Sequence, residues 1–330
     1  MGEQMRRHGS VFSFIIMFIA FCLMYKTSQA QTGTTYQPEL FAPGIISNQY
    51  SQRDAGFTPD MKEFYYSMSS PGFSVILVSK NINGKWSTPE TVSFSGNYSD
   101  LEPFVTSDGK RLYFASNRPL KGTGEPKDFD IWYVDRTGNG WGTPVNLGDV
   151  INSEKDEFYP SLTGDGTIYF TAQRPDSHGD EDIYRSKLVD GKYSTPEDLD
   201  DSVNTKGGEF NSFIARDESY LMFTSMGWET GKGHGDIWIC FRKNDGTWTK
   251  AMNMGESVNS PSFEFCPSVT PDGKFLFFTS NRKVADPYSN KKISYQDLLD
   301  QLNKPANGWL DIYKVDAGVI DLLKKKAGIN

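Results

Sequence analysis

Acidic residues recur at one fixed place in the sequence, and they are the first candidates for chemistry. Each stands eight residues before an aspartate that marks a turn, and the set is Asp100, Glu157, Glu209 and Glu264. Arginines follow the turn at a similar distance, at Arg118, Arg174 and Arg282. An acid that faces a guanidinium across a hairpin either forms an ion pair that pins the repeat or belongs to a ring that binds a carboxylate- or hydroxyl-rich ligand.

One copy of the pattern departs from this pairing. Met226 stands where arginine is expected, so Glu209 should lack the local partner that the other acids have. Two carboxylates can act as acid and base, or as acid and nucleophile, in the hydrolysis of a glycosidic bond. If the protein is an enzyme, we expect Glu209 to be the first catalytic carboxylate and Glu157 or Glu264 to be its partner.

Two histidines could take part in metal binding. His178 and His234 lie in polar, glycine-rich loops that also contain Asp176, Asp180 and Asp236. Their spacing matches no known metal-binding pattern. The sequence also contains no Gly-x-Ser-x-Gly, no His-Glu-x-x-His and no phosphate loop. We therefore predict no metal site and no cofactor.

These residues belong to a repeat that fills most of the chain. In each copy an apolar or Pro-Ser stretch enters a turn that often reads Asp-Gly, and a β-rich run follows. The turn aspartates, 48 to 57 residues apart, are Asp60, Asp108, Asp165, Asp217 and Asp272. Because glycine supplies the positive φ that a tight hairpin needs, each copy is expected to begin with two hairpin strands, A and B.

Two further strands follow in each copy. Strand C begins with Asp-Ile at Asp130, Asp182, Asp236 and Asp311. Strand D follows an aromatic residue and, in three copies, a proline three positions later. Proline cannot donate to a strand ladder, so D is predicted to be an outer edge strand. Four short antiparallel strands that recur about every 40 to 50 residues are typical of a β-propeller blade.

The two ends of the repeat region complement each other. The fifth copy lacks a strand D, whereas residues 38–45 near the N-terminus match the strand D segment at 144–151. An N-terminal strand that completes the last blade would close the ring and remove exposed strand edges. We therefore predict an all-β fold, a single five-bladed β-propeller over residues 31–316 with four-stranded antiparallel blades.

The repeat also resembles a known family. The stretches 102–118, 159–174 and 266–282 follow the pattern Asp-Gly-Lys-x-Leu-Tyr-Phe-x-Ser-Asn-Arg, and Asp-Ile-Trp or Asp-Ile-Tyr comes later. This is similar to the WD-repeat-like propeller repeat of the TolB type and covers essentially all of residues 36–316. The resemblance implies a binding platform in periplasmic or cell-surface proteins, or an accessory domain in some hydrolases. The TolB propeller has six blades rather than five, so its particular partners are not carried over.

In such a propeller the start of A, the end of B and the start of C share one face, here called the loop face. The A–B turns lie on the opposite, hairpin face. Long B–C loops on the loop face are candidates for recognition, through aromatic residues such as Phe129, Trp228 and Tyr288. The last loop, residues 283–310, should contain an amphipathic helix with an N-cap at Ser294, either a cover for the channel mouth or an inert insertion. Residues 317–330 form a C-terminal tail.

The N-terminus has the pattern of an export signal. Two arginines precede an apolar run from Val11 to Met24, and small and polar residues follow, which is typical of a cleaved secretory signal peptide over residues 1–30. The alternative is a lipoprotein signal with Cys22 lipidated, which the bulky Phe21 disfavours. We therefore expect export to the periplasm, the cell surface or the medium, with no transmembrane segment after cleavage.

Composition limits the kind of partner. The 330 residues carry a formal net charge of -8, which argues against a nucleic acid partner. The chain has only 3 Cys and 3 His. Cys240 and Cys266, the two cysteines outside the predicted signal peptide, are expected to be free and buried.

Three functions fit these patterns. The first is a non-catalytic propeller of the cell envelope that binds a protein or a glycan through its loop face. The second is a five-bladed glycoside hydrolase that uses carboxylates at the channel mouth. The third is a scaffold subunit of an envelope assembly. We favour binding because the sequence offers no recognisable nucleophile or metal motif, and the oligomeric state is left open.

Overall fold

The computed structural model describes residues 36–121, 123–138, 140–283 and 292–329. By its internal contacts the propeller part of the chain forms the unit Gln37–Asn330, separate from Met1–Tyr36. The predicted signal peptide and Cys22 lie outside the described residues, as does Tyr288. The fold described below is that of the unit Gln37–Asn330.

Five antiparallel sheets form five propeller blades, as predicted. Strand β1 (Glu39–Leu40) comes first in the chain and belongs to the last blade. Blade 1 contains β2 (Ser51–Phe57), β3 (Glu63–Ser70), β4 (Phe73–Ile82), β5 (Lys85–Trp86) and β6 (Glu90–Thr91). Blade 2 contains β7 (Asp100–Val105), β8 (Arg111–Ser116), β9 (Asp130–Thr137), β10 (Gly140–Trp141) and β11 (Val145–Asn146). In both blades the short strand directly after strand C, β5 or β10, pairs with the C-terminal end of C. The strands β6 and β11 pair further back along C and are the strands D.

The remaining blades follow the same plan. Blade 3 contains β12 (Glu157–Leu162), β13 (Ile168–Ala172), β14 (Asp182–Ser186), the small hairpin β15 (Leu188–Val189) and β16 (Lys192–Tyr193), and β17 (Glu197–Asp198). Blade 4 contains β18 (Glu209–Ile214), β19 (Tyr220–Ser225), β20 (Asp236–Phe241) and β21 (Met252–Asn253). Blade 5 contains β22 (Glu264–Val269), β23 (Phe275–Ser280), β24 (Asp311–Asp316) and β1.

The N-terminal strand closes the ring. Leu40 of β1 is paired with Tyr313 of β24, and the Phe41 amide donates to the Ile312 carbonyl at 2.9 Å. The Phe41 ring then packs between blade 5 and blade 1, with centroid distances of 4.8 Å to Phe277 and 4.9 Å to Phe64. The predicted closure is therefore confirmed.

Each hairpin turn is held by its aspartate. In blade 2 the Thr106 hydroxyl donates to Asp108 Oδ1 at 2.7 Å, and the Lys110 amide donates to the same oxygen at 3.0 Å. These donors lower the pKa of Asp108. Gly109 between them has φ +70°, a conformation that glycine adopts without a steric penalty. Blade 1 places Met61, with φ +55°, at the equivalent position.

The innermost strand of every blade contains a bulge, at its fourth residue in blade 1 and at its third in blades 2 to 5. These residues all have positive φ, and they are Asp54, Glu102, Tyr159, Asn211 and Cys266. A bulge turns a side chain away from the regular alternation of a strand. The Asp54 amide donates to Thr279 Oγ1 of the preceding blade, and the Asn211 amide donates to Thr171 Oγ1. The bulges thus connect neighbouring blades.

Two helices complete the described structure. Helix α1 (Tyr295–Leu302) begins after Ser294, whose side chain accepts from the Asp297 amide in a capping box, so the predicted helix and its N-cap are confirmed. Helix α2 (Gly318–Lys326) buries Val319, Ile320 and Leu323 against the propeller. Neither of these helices has the length and apolar character needed to cross a membrane. Cys240 and Cys266 are free and buried, as expected.

Candidate functional site

The recurring acids lie inside their own blades. Asp100 Oδ1 accepts from the Ser116 hydroxyl and from an Arg118 Nη2, both at 2.6 Å. Glu264 Oε1 accepts from the Ser280 hydroxyl at 2.6 Å and lies 3.0 Å from Arg282 Nη2. The predicted pairing of acid and arginine across the hairpin is present in both blades.

The other two acids are held mainly by hydroxyl and amide groups. Glu157 accepts from the amide and hydroxyl of Ser153 and lies 4.0 Å from Arg174 Nη2. Burial raises the pKa of Glu157 to about 7. Glu209 accepts from the Thr205 amide and hydroxyl and from the Ser225 hydroxyl. As expected from Met226, no described arginine pairs with Glu209, but these three donors satisfy its carboxylate.

The arginines tie each blade to the segment that precedes it. Arg118 Nη2 donates to the Phe94 carbonyl at 3.0 Å, while Arg174 and Arg282 donate to the carbonyls of Ile151 and Val258. The side chains of all four acids are 0% exposed. None of these acids or arginines lines the cavity on the propeller axis that is described next. Their geometry is that of ion pairs and hydrogen bonds that pin each blade.

A different set of residues faces the axis on the loop face. They stand one position after the recurring acids and their blade 1 equivalent, and they are Arg53, Leu101, Phe158, Phe210 and Phe265. Together with residues of neighbouring loops they enclose a cavity of about 450 Å³. We call this the axial pocket. Pockets with apolar walls and a few convergent polar groups are typical of binding sites.

Phenylalanine rings form most of the wall. Phe129 from a B–C loop packs at 5.1 Å from Phe158, and Phe263 packs at 6.1 Å from Phe210 and 4.8 Å from Phe265. All of these rings except Phe265 remain half-buried, so part of each is open to the pocket. The wall therefore offers several aromatic faces to a ligand. Trp228, another loop aromatic from the sequence analysis, instead stacks on Trp238 at 5.3 Å.

The floor of the pocket is a buried ionic network. Arg53 donates to Asp54 Oδ1 at 3.0 Å and to Glu102 Oε1 at 2.5 Å. Glu102 also accepts from Asn211 Nδ2 at 3.1 Å and from the Tyr159 amide at 2.7 Å. Burial raises the pKa of Glu102, and the charge of Arg53 opposes that shift. One arginine thus serves two carboxylates.

A further acid lies at the wall of the pocket. Glu181 is half-buried beside the phenylalanines, and its carboxylate makes no ion pair with any described residue. Burial, followed by repulsion from Asp156 and Asp180, raises the pKa of Glu181. This carboxylate therefore adds negative character that no described cation neutralises.

Tyr159 links two blades next to Glu102, which accepts from its amide. Its hydroxyl crosses from blade 3 to blade 5 and donates to the Pro267 carbonyl at 2.9 Å. A second cavity of about 710 Å³ lies on the hairpin face and shares no lining residue with the axial pocket. Its lining is mainly small and apolar, and its charged side chains Arg216 and Asp217 are exposed. We take the axial pocket as the candidate site because its charged groups are buried and converge.

The sequence analysis missed Arg53, Glu102, Asn211 and most of the phenylalanine wall. A partial signal was present, because the second position after each recurring acid differs from blade to blade while the acids repeat, as Glu102, Tyr159, Asn211 and Cys266 show. A residue type that is constant in every blade serves the fold, whereas one that varies at the axis can serve a ligand. Helix α1 contributes no residue to the pocket lining.

Comparison with known proteins supports the fold. The chain matches no protein-family model and no curated protein. Among solved structures, an alpha-L-arabinofuranosidase from Lactobacillus brevis is similar, with 13% identity, coverage of 82% of this chain and 92% of that one, and a TM-score of 0.50. This likeness concerns the propeller fold alone.

Two structures named TolB are also similar. A putative TolB from Agrobacterium tumefaciens has 16% identity, coverage of 81% of this chain and 90% of that one, and a TM-score of 0.46. TolB from Acinetobacter baumannii has 15% identity, coverage of 81% and 54%, and a TM-score of 0.46. This chain therefore spans about half the length of the Acinetobacter protein.

Proposed function

We propose that the protein is a non-catalytic, exported binding propeller of the cell envelope that captures a protein or glycan partner in its axial pocket. The observation that carries this proposal is a pocket with phenylalanine walls above a buried floor of Arg53, Glu102 and Asn211. The resemblance to TolB-type repeats, which serve as binding platforms, supports the same function.

The charge of the axial pocket limits which chemical group of a partner it can bind. Arg53 is the positive group of the floor, and it is shared between Asp54 and Glu102. Glu181 adds a third carboxylate without a counter-ion among the described residues. Aromatic faces attract cations, more strongly when water is excluded. The ligand group therefore carries a positive charge on an apolar body, as in a lysine side chain or an amino sugar.

Binding fits these acids better than hydrolysis. A catalytic carboxylate must reach its substrate, yet Glu209, Glu157 and Glu264 have no exposed side-chain surface. Glu102 is saturated by Arg53, Asn211 and the Tyr159 amide. The glycoside hydrolase alternative would require these groups to release their partners.

A binding assay with defined probes tests the proposal. The probes are a lysine-containing tripeptide and deacetylated chitotetraose. The tripeptide represents an amine carried by a protein, and the chitotetraose represents an amine carried by a glycan. We expect one of them to bind the purified protein, and Phe210→Ala to weaken that binding about tenfold, as the loss of an aromatic contact predicts.

The control variant and a turnover assay complete the test. Trp309 is exposed and lies outside the pocket lining, so Trp309→Ala should bind like the wild type. Chromogenic glycosides should not be hydrolysed. Turnover that disappears in Glu102→Gln or Glu209→Gln would overturn the proposal in favour of a hydrolase.

A further inference from the structure

Blade 3 departs from its neighbours where strand D meets strand C. In blade 2 the side-chain Nδ2 of Asn146 donates to Asp130 Oδ2 at 2.8 Å. In blade 4 the side-chain Nδ2 of Asn253 donates to Asp236 Oδ2 at 2.7 Å. Each buried aspartate thus accepts from a neutral donor of strand D, and in blade 2 Asp130 Oδ1 also pairs with Lys127 Nζ at 2.7 Å. The strand D asparagine places no second negative charge beside the buried carboxylate.

In blade 3 an acid replaces that asparagine. Asp198 pairs with Tyr184 in the same register in which Asn146 pairs with Trp132 and Asn253 with Trp238. Asp198 therefore presents a carboxylate to Asp182, and their side chains are 12% and 0% exposed. Two buried carboxylates repel each other unless a proton or a cation lies between them.

A histidine stands beside the two carboxylates. His178 Nδ1 lies 2.7 Å from Asp198 Oδ2 and 3.6 Å from Asp182 Oδ2. Lys232 occupies the same position in blade 4, four residues before the strand C aspartate, and its ammonium points away to Glu256 at 2.7 Å. The two changes that distinguish blade 3 at this place, Asp198 and His178, therefore meet beside Asp182.

The buried carboxylate of Asp182 has acceptor capacity left at this point. Asp182 Oδ1 makes no hydrogen bond among the described residues, a feature that it shares with the equivalent Asp311 Oδ1 of blade 5, while Asp182 Oδ2 accepts from the His178 amide. An orphaned buried carboxylate oxygen is costly unless a further group satisfies it. A shallow cavity lined by His178, Asp198 and Asp201, but not by Asp182, opens to solvent, and Asp201 Oδ1 lies 3.4 Å from His178 Nε2.

We propose that His178, Asp182 and Asp198 bind a divalent transition-metal ion of the zinc class. One ligand atom from each lies within 4.8 Å of the others. Neighbouring ligand atoms of tetrahedral zinc are about 3.3 Å apart, as bonds of about 2 Å require. The 3.6 Å separation fits this geometry, and the 2.7 Å separation needs to open slightly.

The donor set selects the class of metal. Imidazole nitrogen with carboxylate oxygen suits zinc and its neighbours, whereas calcium and magnesium prefer oxygen alone. Three protein ligands leave a fourth position for water on the side of the shallow cavity. This proposal runs against the sequence-based expectation of no metal, because Asp198 is distant from the histidine loop in sequence.

Zinc titration of the full chain, purified without a polyhistidine tag and stripped with chelator, tests the proposal. Isothermal calorimetry should show one zinc ion bound per chain. Asp198→Asn recreates the asparagine of blades 2 and 4, so the variant should fold and bind zinc about 100-fold more weakly. His178→Ala should show a similar loss, and cobalt-substituted protein should lose its tetrahedral absorption bands in both variants.

His234→Ala provides the matched control. His234 lies in the corresponding loop of blade 4, so this variant should bind zinc like the wild type. Circular dichroism of each variant confirms that it is folded. Equal zinc affinity in the wild type and in Asp198→Asn would overturn the proposal. Absence of zinc binding by the wild type would also overturn it and would show that His178 acts only as an ion-pair partner.

Discussion

Two buried glutamates show how a shift of two positions along an inner strand decides the role of an acid. Glu157 is the first residue of its strand and is held by Ser153 inside the blade. Glu102 is the third residue of its strand, and its positive φ turns it to the axis, where it meets Arg53. The acid at the first position repeats in blades 2 to 5, so it could be recognised from the sequence. The bulge that reorients the third residue has no sequence signature.

At this scale, Glu157→Gln should change the pH dependence of stability. The folded pKa of about 7 exceeds the ordinary value, so between about pH 4.5 and 7 the folded protein keeps a proton that the unfolded chain has released. Stability that comes from this proton is lost as pH rises through that window. The unfolding free energy of the wild type should therefore fall, relative to the variant, by up to about 3 kcal/mol.

Urea denaturation at pH 4.5, 6 and 8 measures this difference. Comparison with the variant cancels the titration of all other groups. Parallel pH profiles for the two proteins would show that Glu157 titrates normally in the fold.

The hairpin turns explain why the blades could be recognised from sequence. The Thr-x-Asp-Gly chemistry is local, since one aspartate oxygen collects the hydroxyl and amide donors of its own turn. Strand D and the ring closure were predictable because their proline and apolar offsets recur. The axial pocket was not, because the Arg53 and Glu102 side chains belong to different blades and meet only in the closed ring.

At the scale of the element, Met61→Gly should stabilise blade 1. Met61 has φ +55° at the turn position that glycine occupies in blades 2, 3 and 5. A left-handed residue costs about 1–2 kcal/mol, partly offset by the flexibility of glycine in the unfolded chain. We expect a gain of about 0.5–1 kcal/mol in the free energy of unfolding, measured by urea denaturation.

The reverse change is the control. Gly273 in blade 5 has φ +72° and no atom within 4 Å of an added Cβ, so Gly273→Ala tests backbone conformation without a clash. It should destabilise by about 1 kcal/mol. A neutral result in both variants would show that these turns tolerate left-handed side chains without strain.

At the scale of the whole molecule, stability depends on closure of the ring. Strand β1 is only two residues long, and Phe41 next to it contacts aromatic rings of both blade 5 and blade 1. The first and last strands of the described chain thus share one core. Opening this contact would expose the edge of β24 and separate blades that otherwise pack together.

Phe41→Ala should therefore destabilise the whole propeller. Phe41 is 7% exposed, and truncation of a buried phenylalanine costs about 3–5 kcal/mol. Thermal unfolding should shift to lower temperature in a single transition. Ile45→Ala, at a position 41% exposed in the same segment, should change stability by less than about 0.5 kcal/mol. Loss of blade 5 alone, seen as a separate early transition, would contradict closure as a global stabiliser.

If the axial pocket selects a cationic group, it should discriminate between ligands that differ only in charge. The measurement compares the affinities of one tripeptide with a free lysine and with an acetylated lysine, for the wild type and for Glu181→Gln. Acetylation removes the charge and keeps the apolar stem, so the wild type should prefer the free lysine at least about tenfold. Glu181→Gln should reduce that preference, whereas Glu229→Gln, an exposed acid of the loop face outside the pocket lining, should retain it. Equal affinity of the wild type for both peptides, or an equal preference in Glu181→Gln, would contradict the account.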